Sequence, residues 1–170
     1  AHPYRVDAMH QPTRVLGARS TEELSSLDHA IIDSLQQDGR RPFTQIASDL
    51  GVSEAAVRAR TGRLIEKGIL QVVGVTDPLK LGFQQMARIG IKVEASRLIE
   101  VAEEIAAFPE TSYVVVTAGA YDILVECVAE DNEALLGFLS EKLRKVEGVR
   151  ETETFVYLRL MKQSYQWGTR

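Results

Sequence analysis

The stretch PFTQIASDLGVSEAAVRARTGRLIEK, from Pro42 to Lys67, decides the fold of the first part of the chain. Its apolar residues recur at helical spacing on both sides of Gly51, a residue suited to the left-handed conformation that ends a helix. Ser53 can then accept a hydrogen bond from a backbone N–H in the first turn of a second helix. The predicted apolar face consists of Ile46, Ala47, Leu50, Val57 and Leu64. This pattern predicts two short helices joined by a tight turn, a helix-turn-helix.

The outward face of the second helix is narrow and polar, and such a face fits the major groove of DNA, which is about 12 Å wide. Arg58 on this face can donate two hydrogen bonds to a guanine edge, and the basic side chains around it suit phosphate contacts. The alternative is a three-helix domain that does not bind DNA. The predicted DNA-binding residues are Arg40, Arg41, Thr44, Ser53, Glu54, Ala55, Arg58, Ala59, Arg60, Gly62 and Arg63.

Gly62 is unusual because it falls inside the second predicted helix. Glycine there costs about 1 kcal/mol relative to alanine. Either the helix backbone approaches DNA closely at this position or the glycine is simply tolerated. The sequence leaves both interpretations open.

Charge and composition restrict the class of protein and its cellular location. The net charge is −4, but residues 40–67 carry six basic and three acidic side chains, a local charge of +3. Because charges are screened beyond about 10 Å at 0.1 M salt, the local surplus governs binding to double-stranded DNA. No apolar run approaches the roughly 20 residues that span a bilayer, and the first residues contain no signal-peptide core. We therefore expect a cytoplasmic, nucleoid-associated protein with no membrane partner.

Cysteine and histidine usage predicts neither a metal nor a cofactor. The single cysteine, Cys127, lies in an apolar run and cannot form an internal disulfide, so we expect a buried small hydrophobe. His2, His10 and His29 lack the spacing of metal ligands.

The chain divides into a tail over residues 1–21, a winged helix-turn-helix domain over 22–75, a linker over 76–84 and a second domain over 85–170. A first helix is predicted over Ser26–Asp38, with an apolar stripe that completes the small core of the DNA-binding domain. The β-rich stretch Ile69–Val75 predicts a wing or a linking strand.

The second domain repeats a strand–helix–strand pattern twice. Strands are predicted over Gln85–Val93, Thr111–Thr117, Ile123–Val128 and Thr152–Met161, with helices over Ser96–Phe108 and Asp131–Val146, capped by Ser96 and Asp131. The order βαββαβ predicts a ferredoxin-like domain, and the whole chain is of the α+β class. Both helices cover one face of the sheet. Because the other face carries β-branched and aromatic residues, we expect a second copy to cover it in a homo-oligomer.

With these motifs and this order of elements, the chain resembles the Lrp/AsnC family of transcription regulators. The resemblance rests on LDHAIIDSLQQDGR (Leu27–Arg40), GVSEAAVRARTGRLIEKGIL (Gly51–Leu70), GAYD (Gly119–Asp122), the Gly-Val pair at 148–149 and TETFVYL (Thr152–Leu158). It implies an N-terminal winged helix-turn-helix and a C-terminal domain for effector binding and assembly. It also implies homodimers joined through their sheets, often gathered into octamers, that respond to an amino acid or a related small metabolite.

The resemblance places the effector near the GAYD turn. Asp122 there can accept the ammonium group of an amino acid, and backbone N–H groups around Gly119 can hold its carboxylate. The alternative is that Asp122 only orders a tight turn. The predicted effector-binding residues are Gly119, Ala120, Tyr121, Asp122, Leu124, Phe155, Val156 and Tyr157.

Two departures from the family pattern affect these expectations. Family members usually carry an acidic residue where Ala120 stands, which puts the effector contacts in question. Thr61-Gly62 replaces an aliphatic residue followed by a polar one, which puts the target sequence and the stability of the helix in question.

The sequence favours a sequence-specific transcription regulator gated by a small effector. The alternatives are an architectural DNA-binding protein without an effector, and an enzyme on the same scaffold. Siroheme decarboxylases resemble the family and depend on histidine and arginine in the second domain. Here all three histidines precede that domain, so Arg88 has no such partner and we predict no enzymatic activity.

Overall fold

The computed structural model describes residues 23–164, so the tail predicted over residues 1–21 lies outside the described part. The described chain forms two compact units, which divide between Gly74 and Val75. The first unit contains three helices, α1 (Ser26–Gln37), α2 (Phe43–Leu50) and α3 (Glu54–Glu66). Their apolar stripes meet in one core of buried residues: Ile31, Ile32, Leu35, Ile46, Ala47, Val57, Leu64 and Leu70.

The ends of α2 and α3 follow the chemistry expected from their sequence. Gly51 ends α2 with a φ of 66°, in the left-handed region that favours glycine. Ser53 accepts a hydrogen bond from the backbone N–H of Ala56 at 3.2 Å and so caps α3. The predicted helix-turn-helix is confirmed.

The strand predicted at Ile69–Val75 is wrong. Residues 69–77 contain no strand, and the described part of the first unit holds helices alone. A strand is stabilised by a ladder of hydrogen bonds to a neighbouring strand, and no other described segment of this unit supplies one. The β-propensity of the valines is therefore not enough to form a strand, and Val73 and Val75 remain exposed. The described helix-turn-helix has no β-wing.

The second unit has the predicted βαββαβ order. Its strands are β1 (Gln85–Val93), β2 (Thr111–Val116), β3 (Ile123–Ala129) and β4 (Val149–Val156), and its helices are α4 (Leu98–Ala106) and α5 (Asn132–Gly137). A π-helical turn over Phe138–Lys142 and a 3-10 turn over Leu143–Lys145 continue α5 along the predicted helix. The four strands form one antiparallel sheet in the order β2-β3-β1-β4. The ferredoxin-like fold is confirmed.

The helices cover one face of this sheet and enclose the larger core. That core comprises Ala87, Ile89, Ile91, Val93, Val101, Ile105, Ile123, Val125, Cys127, Ala129, Leu135, Phe138, Leu143 and Val146. Cys127 is the buried hydrophobe that its sequence context predicts, and burial raises the pKa of its thiol to about 11. No helix in the described part of the chain has the length and apolar character needed to cross a lipid bilayer.

Among the element boundaries that differ from the predictions, those of α4 and β4 have a clear local cause. Ser96 does not cap α4, because the chain makes a 3-10 turn over Ala95–Arg97 and α4 starts only at Leu98. The last strand runs over Val149–Val156 and not over Thr152–Met161. Gly148, with a φ of 99°, turns the chain so that Val149 already pairs with Val93. The pairing ends where Tyr157 donates its N–H to Met86 at 2.8 Å, because β1 has only just begun there.

Candidate nucleic-acid interface and effector loop

One side of α3 presents a narrow exposed stripe. Ala55, Arg58, Ala59 and Gly62 follow one another at helical spacing on the side opposite the buried Val57. Three of these four residues carry a methyl group or no side chain, so little side-chain bulk surrounds the single arginine. The stripe is a shallow ridge from which one guanidinium projects.

Arg58 is held in place although it is exposed. Its Nη2 lies 2.5 Å from Oε1 of Glu54, one helical turn earlier, and its Cζ lies 5.3 Å from the centre of the Phe43 ring. Both contacts are favourable, the first as an i,i+4 ion pair and the second as a cation–π contact. Because 64% of the Arg58 side chain is still exposed, it remains accessible to a partner. Phe43 is not among the residues predicted from the sequence.

The start of α2 borders the same surface. A groove of about 840 Å³ runs between the start of α2, the Glu54–Arg58 pair and the segment of residues 72–74. Arg41 is tied to Asp49 on α2, whereas the guanidinium of Arg40 has no partner in the described part of the chain. Thr44 is exposed beside them. The structure thus brings Arg40, Arg41 and Thr44 together with the stripe on α3.

Arg60 occupies a different position from the one predicted. Its Nη1 donates to Ser25 Oγ at 2.9 Å and to Asp28 Oδ1 at 3.0 Å, and Nη2 of Arg63 lies 3.6 Å from the same Asp28 oxygen. These contacts direct Arg60 toward α1 and away from the exposed stripe. The guanidinium ties α3 to α1, and we remove Arg60 from the candidate interface. Arg63 is half exposed and remains in it.

Asp28 is the centre of this contact and is buried. It accepts hydrogen bonds from the N–H and the hydroxyl of Ser25, in a reciprocal capping box at the start of α1. Burial alone raises the pKa of the carboxyl, but the bonds from Ser25 and the charge of Arg60 outweigh it and lower the pKa to about 2. Asp28 is absent from the predicted site, although the spacing Ser-x-x-Asp is a signal for such a cap.

The Thr61-Gly62 pair weakens α3 in two ways. The Thr61 hydroxyl is buried and has no hydrogen-bond partner among the described residues, which costs about 1–3 kcal/mol. A Cβ added at Gly62 would meet no atom within 4 Å, so packing within the protein does not require glycine there. Close approach of DNA and simple tolerance therefore both remain open as reasons for this glycine.

Replacing Gly62 by alanine is expected to raise the free energy of unfolding by about 1 kcal/mol, because helix propensity improves and nothing clashes. If DNA approaches the backbone at this position, the same variant binds DNA more weakly while being more stable. Urea unfolding and DNA titration at fixed salt measure the two effects. Ala59→Gly, on the same stripe, is the reverse control and should only destabilise. A Gly62→Ala protein that gains stability and binds DNA as tightly as before would show that Gly62 is only tolerated.

The loop over residues 117–122 is closed by its own polar groups. Thr117 donates its hydroxyl to the Tyr121 carbonyl at 2.6 Å and its N–H to the Asp122 carbonyl at 2.8 Å. Asp122 in turn donates its N–H to Ile91 at 2.9 Å and accepts the N–H of Val93 on Oδ2 at 2.8 Å. One carboxylate oxygen of Asp122 is therefore engaged at the end of β1, beside the irregular pairing at Lys92 and Val93. The turn-ordering role has a direct geometric basis.

Three exposed residues at the tip of this loop offer unused donors. The N–H groups of Ala118, Gly119 and Ala120 donate to no backbone carbonyl in the described part of the chain. Successive N–H groups that are free in a turn can bind an anion such as a carboxylate.

An aromatic pair lies beside the loop on the sheet face that the helices leave open. The Tyr121 ring packs on Gly90, where an added Cβ would lie 2.6 Å from the ring, and it meets Phe155 edge-on at 6.4 Å. Leu124 pairs with Gly90 and shares this face. Gly90 is not predicted from the sequence, because its role depends on contact with a residue 31 positions away.

The strand register separates one predicted residue from the others. Val156 pairs with Ala87, whose side chain is in the helix-covered core, and successive strand residues point to opposite faces. Val156 therefore lies on the face opposite Phe155, and we remove it from the candidate effector site. Tyr157 donates its hydroxyl to Glu126 at 2.9 Å, and Glu126 also pairs with Arg88.

The Arg88–Glu126–Tyr157 contact forms a polar network on the open face. Burial and the hydrogen bond to Glu126 raise the pKa of the Tyr157 hydroxyl. The hydrogen bond that Arg88 donates to Glu126 likewise raises the pKa of Arg88, so the guanidinium remains charged. Arg88 thus has a carboxylate partner on the open face of the sheet.

An exposed recognition helix in a helix-turn-helix unit, followed by a ferredoxin-like unit with an open sheet face, defines a two-domain DNA-binding regulator. The AsnC-type helix-turn-helix domain matches residues 24–65, and the Lrp/AsnC ligand binding domain matches residues 86–167. The chain belongs to the Lrp/AsnC family, as its motifs predict.

Relatives and solved structures agree with this membership. The chain is 34% identical over 144 residues to PH0140 of Pyrococcus horikoshii, an HTH-type transcriptional regulator, covering 84% of this chain and 91% of the relative. It is 35% identical over 136 residues to LrpA of Pyrococcus abyssi, and the match covers 79% of this chain and 96% of LrpA. Its fold is similar to that of E. coli AsnC, with a TM-score of 0.76 at 22% identity over 84% of this chain and 97% of the other.

A further structural neighbour holds a small molecule. The regulator NMB0573 of Neisseria meningitidis, in complex with L-Met, has a TM-score of 0.74 at 21% identity, covering 84% of this chain and 95% of the neighbour. The present chain is accordingly a transcriptional regulator of the AsnC family with a ligand-binding domain.

Proposed function

We propose that the protein is a sequence-specific transcription regulator whose assembly or DNA affinity responds to an amino acid or a related small metabolite. The observation that carries the DNA-binding part is the stripe of Ala55, Arg58, Ala59 and Gly62 on α3. Its low profile lets the helix enter a major groove, and the exposed Arg58 supplies a bidentate donor for guanine. We assign phosphate contacts to Arg40, Arg41 and Thr44, which line the groove at and just before the start of α2.

A homodimer accounts for the open face of the sheet. Tyr113 and Phe155 on this face are exposed by 53% and 46%, and an apolar face of this kind is stabilised by a second copy. Such a dimer offers two recognition helices to half-sites about 34 Å apart, or multiples of that distance. Further association of dimers into an octamer is part of the proposal. Light scattering of the full chain tests it, and a monomer at micromolar concentration would reject it.

The loop over residues 117–122 is the proposed effector site. The three free N–H groups at its tip suit the carboxylate of an amino acid, and the unengaged oxygen of Asp122 suits the ammonium group. The structural neighbour in complex with L-Met supports an amino acid as the ligand class. Since Ala120 brings no acidic side chain, Asp122 carries the negative charge of this loop.

A thermal-shift screen of the twenty amino acids, followed by DNA titration at fixed salt, tests the effector proposal. A ligand at 100 times its Kd should add about 2.7 kcal/mol to the free energy of unfolding. Asp122→Asn keeps an oxygen for the Val93 N–H but removes the charge, so it should keep DNA binding and lose the ligand-induced stabilisation. Retained stabilisation in Asp122→Asn would reject Asp122 as the ammonium partner. No response to any amino acid, with DNA binding intact, would favour an architectural protein or another metabolite.

We also propose that the protein is not an enzyme. The named relatives are transcriptional regulators. The thiol of Cys127 is buried and its pKa is raised to about 11, so it is not a nucleophile near neutral pH. All three histidines precede the second domain, where an acid–base pair of the siroheme decarboxylase kind would be needed.

A further inference from the structure

Glu54 occupies an unusual place for an acidic residue in a DNA interface. It is the first residue of α3, it is 41% exposed, and it lies on the wall of the groove that Arg58, Phe43 and Arg40 also line. An acid at this position is repelled by DNA phosphates. It does interact favourably with the helix dipole and with Arg58, but both contacts are weak at an exposed position.

The donors and acceptors of the Glu54–Arg58 pair are only partly used. The contact engages one Nη2 hydrogen of Arg58 and Oε1 of Glu54. A guanidinium has five N–H groups, so enough remain for the two bonds to guanine O6 and N7. Oε2 of Glu54 accepts from no group in the described part of the chain. The pair therefore presents a two-donor edge beside a free acceptor.

The Phe43 ring limits how this pair can move. It covers the Arg58 guanidinium at 5.3 Å and is itself packed against the core of the first unit. Because the stacked guanidinium is held from one side, the carboxylate paired with it is also held near the outer edge of α3. The donor edge and the acceptor are thus presented to DNA as one preorganised unit.

We propose that Glu54 is a specificity-determining residue of the DNA interface. While Arg58 reads a guanine, Oε2 of Glu54 accepts a hydrogen bond from the N4 amino group of a cytosine at a neighbouring base pair. Cytosine presents only a donor in the major groove, whereas adenine places its N7 acceptor beside its donor, and guanine N7 and O6 and thymine O4 are acceptors. The carboxylate therefore favours cytosine: it is repelled by the acceptors of guanine and thymine, and at adenine the N7 acceptor opposes the attraction of the N6 amino group. This inference rests on the proposed sequence-specific function.

Selection of bound duplexes from a random double-stranded library tests the inference with the full chain. The wild-type protein should enrich a motif in which a guanine lies near a cytosine-specific position. The Glu54→Gln variant should keep the guanine and lose the cytosine preference, with a shift toward adenine, because glutamine pairs with adenine N6 and N7. Changing that one cytosine to thymine in the selected site should weaken wild-type binding about 5- to 150-fold and the variant less than about 3-fold.

The matched control is Glu66→Gln, which removes the same charge twelve residues later on the same helix. This variant should select the wild-type motif. A Glu54→Gln protein with an unchanged cytosine preference would overturn the inference and leave Glu54 as an ordinary acid in the first turn of a helix. A wild-type protein that enriches no motif would instead reject the sequence-specific function on which the inference rests, so the two failures are distinguishable.

Discussion

Replacing Asp28 by alanine is expected to lower the free energy of unfolding of the helix-turn-helix unit by about 3 kcal/mol. Asp28 is 3% exposed, accepts two hydrogen bonds from Ser25 and pairs with Arg60. The variant loses the capping box of α1 and leaves the Arg60 guanidinium half-buried without its carboxylate. Because Asp28 joins α1 to α3, its loss should loosen the helix that carries the DNA-binding stripe.

Urea unfolding, followed by the helical signal in circular dichroism, measures the change. Asp49→Ala is the matched control, because it removes a carboxylate that pairs with Arg41 on the surface of the same unit. Surface pairs of this kind contribute about 0–1 kcal/mol. If Asp28→Ala and Asp49→Ala cost the same, the buried contact is not the anchor that its geometry indicates.

The low pKa of Asp28 gives this prediction a pH signature. The pKa is about 2 in the folded protein and 3.8 ordinarily, so the carboxyl stabilises the fold when it is ionised. Its contribution of about 2 kcal/mol is fully present above about pH 5 and is lost as the pH falls through about 2. The wild-type protein should therefore lose stability in this range more steeply than Asp28→Ala. Parallel acid-unfolding curves for the two proteins would contradict the assigned pKa.

Much of the fold is predictable because its signals are local. The helical spacing around Gly51, the cap at Ser53 and the cap at Asp131 act within a few residues, and the structure shows all three. The order βαββαβ likewise follows from the periods of the apolar residues along the chain. These signals predict which segments are helices and strands, and the family resemblance rests on the same segments.

The missing strand and the two revisions of the candidate sites depend on contacts between distant residues. The stretch at Ile69–Val75 has the composition of a strand, but no described strand lies beside it. Arg60 has the residue type of a phosphate contact, but its direction is set by Asp28, 32 positions earlier. The side of the sheet on which Val156 lies is set by register, and a shift of one residue exchanges the two faces. Local sequence patterns do not specify which distant segments pair or which distant side chains meet.

Arg58→Ala is expected to weaken binding to the selected operator by about 1–3 kcal/mol more than binding to random DNA. The guanidinium is exposed and held by Glu54 and Phe43, so it is preorganised to donate two bonds to one guanine. Random DNA loses only the attraction of one positive charge for phosphates. Competition titration with both DNAs at the same salt concentration measures the difference.

Arg58→Lys separates base recognition from charge. Lysine keeps the positive charge but cannot present the planar pair of donors that fits guanine bidentately. This variant should bind random DNA almost as well as the wild-type protein and lose most of the preference for the operator. The guanidinium of Arg40 has no partner among the described residues and suits a phosphate contact. Arg40→Ala should instead weaken binding to both DNAs about equally. Equal losses on both DNAs in Arg58→Ala would mean that Arg58 contacts phosphate alone, and base recognition would then have to come from other positions on the stripe.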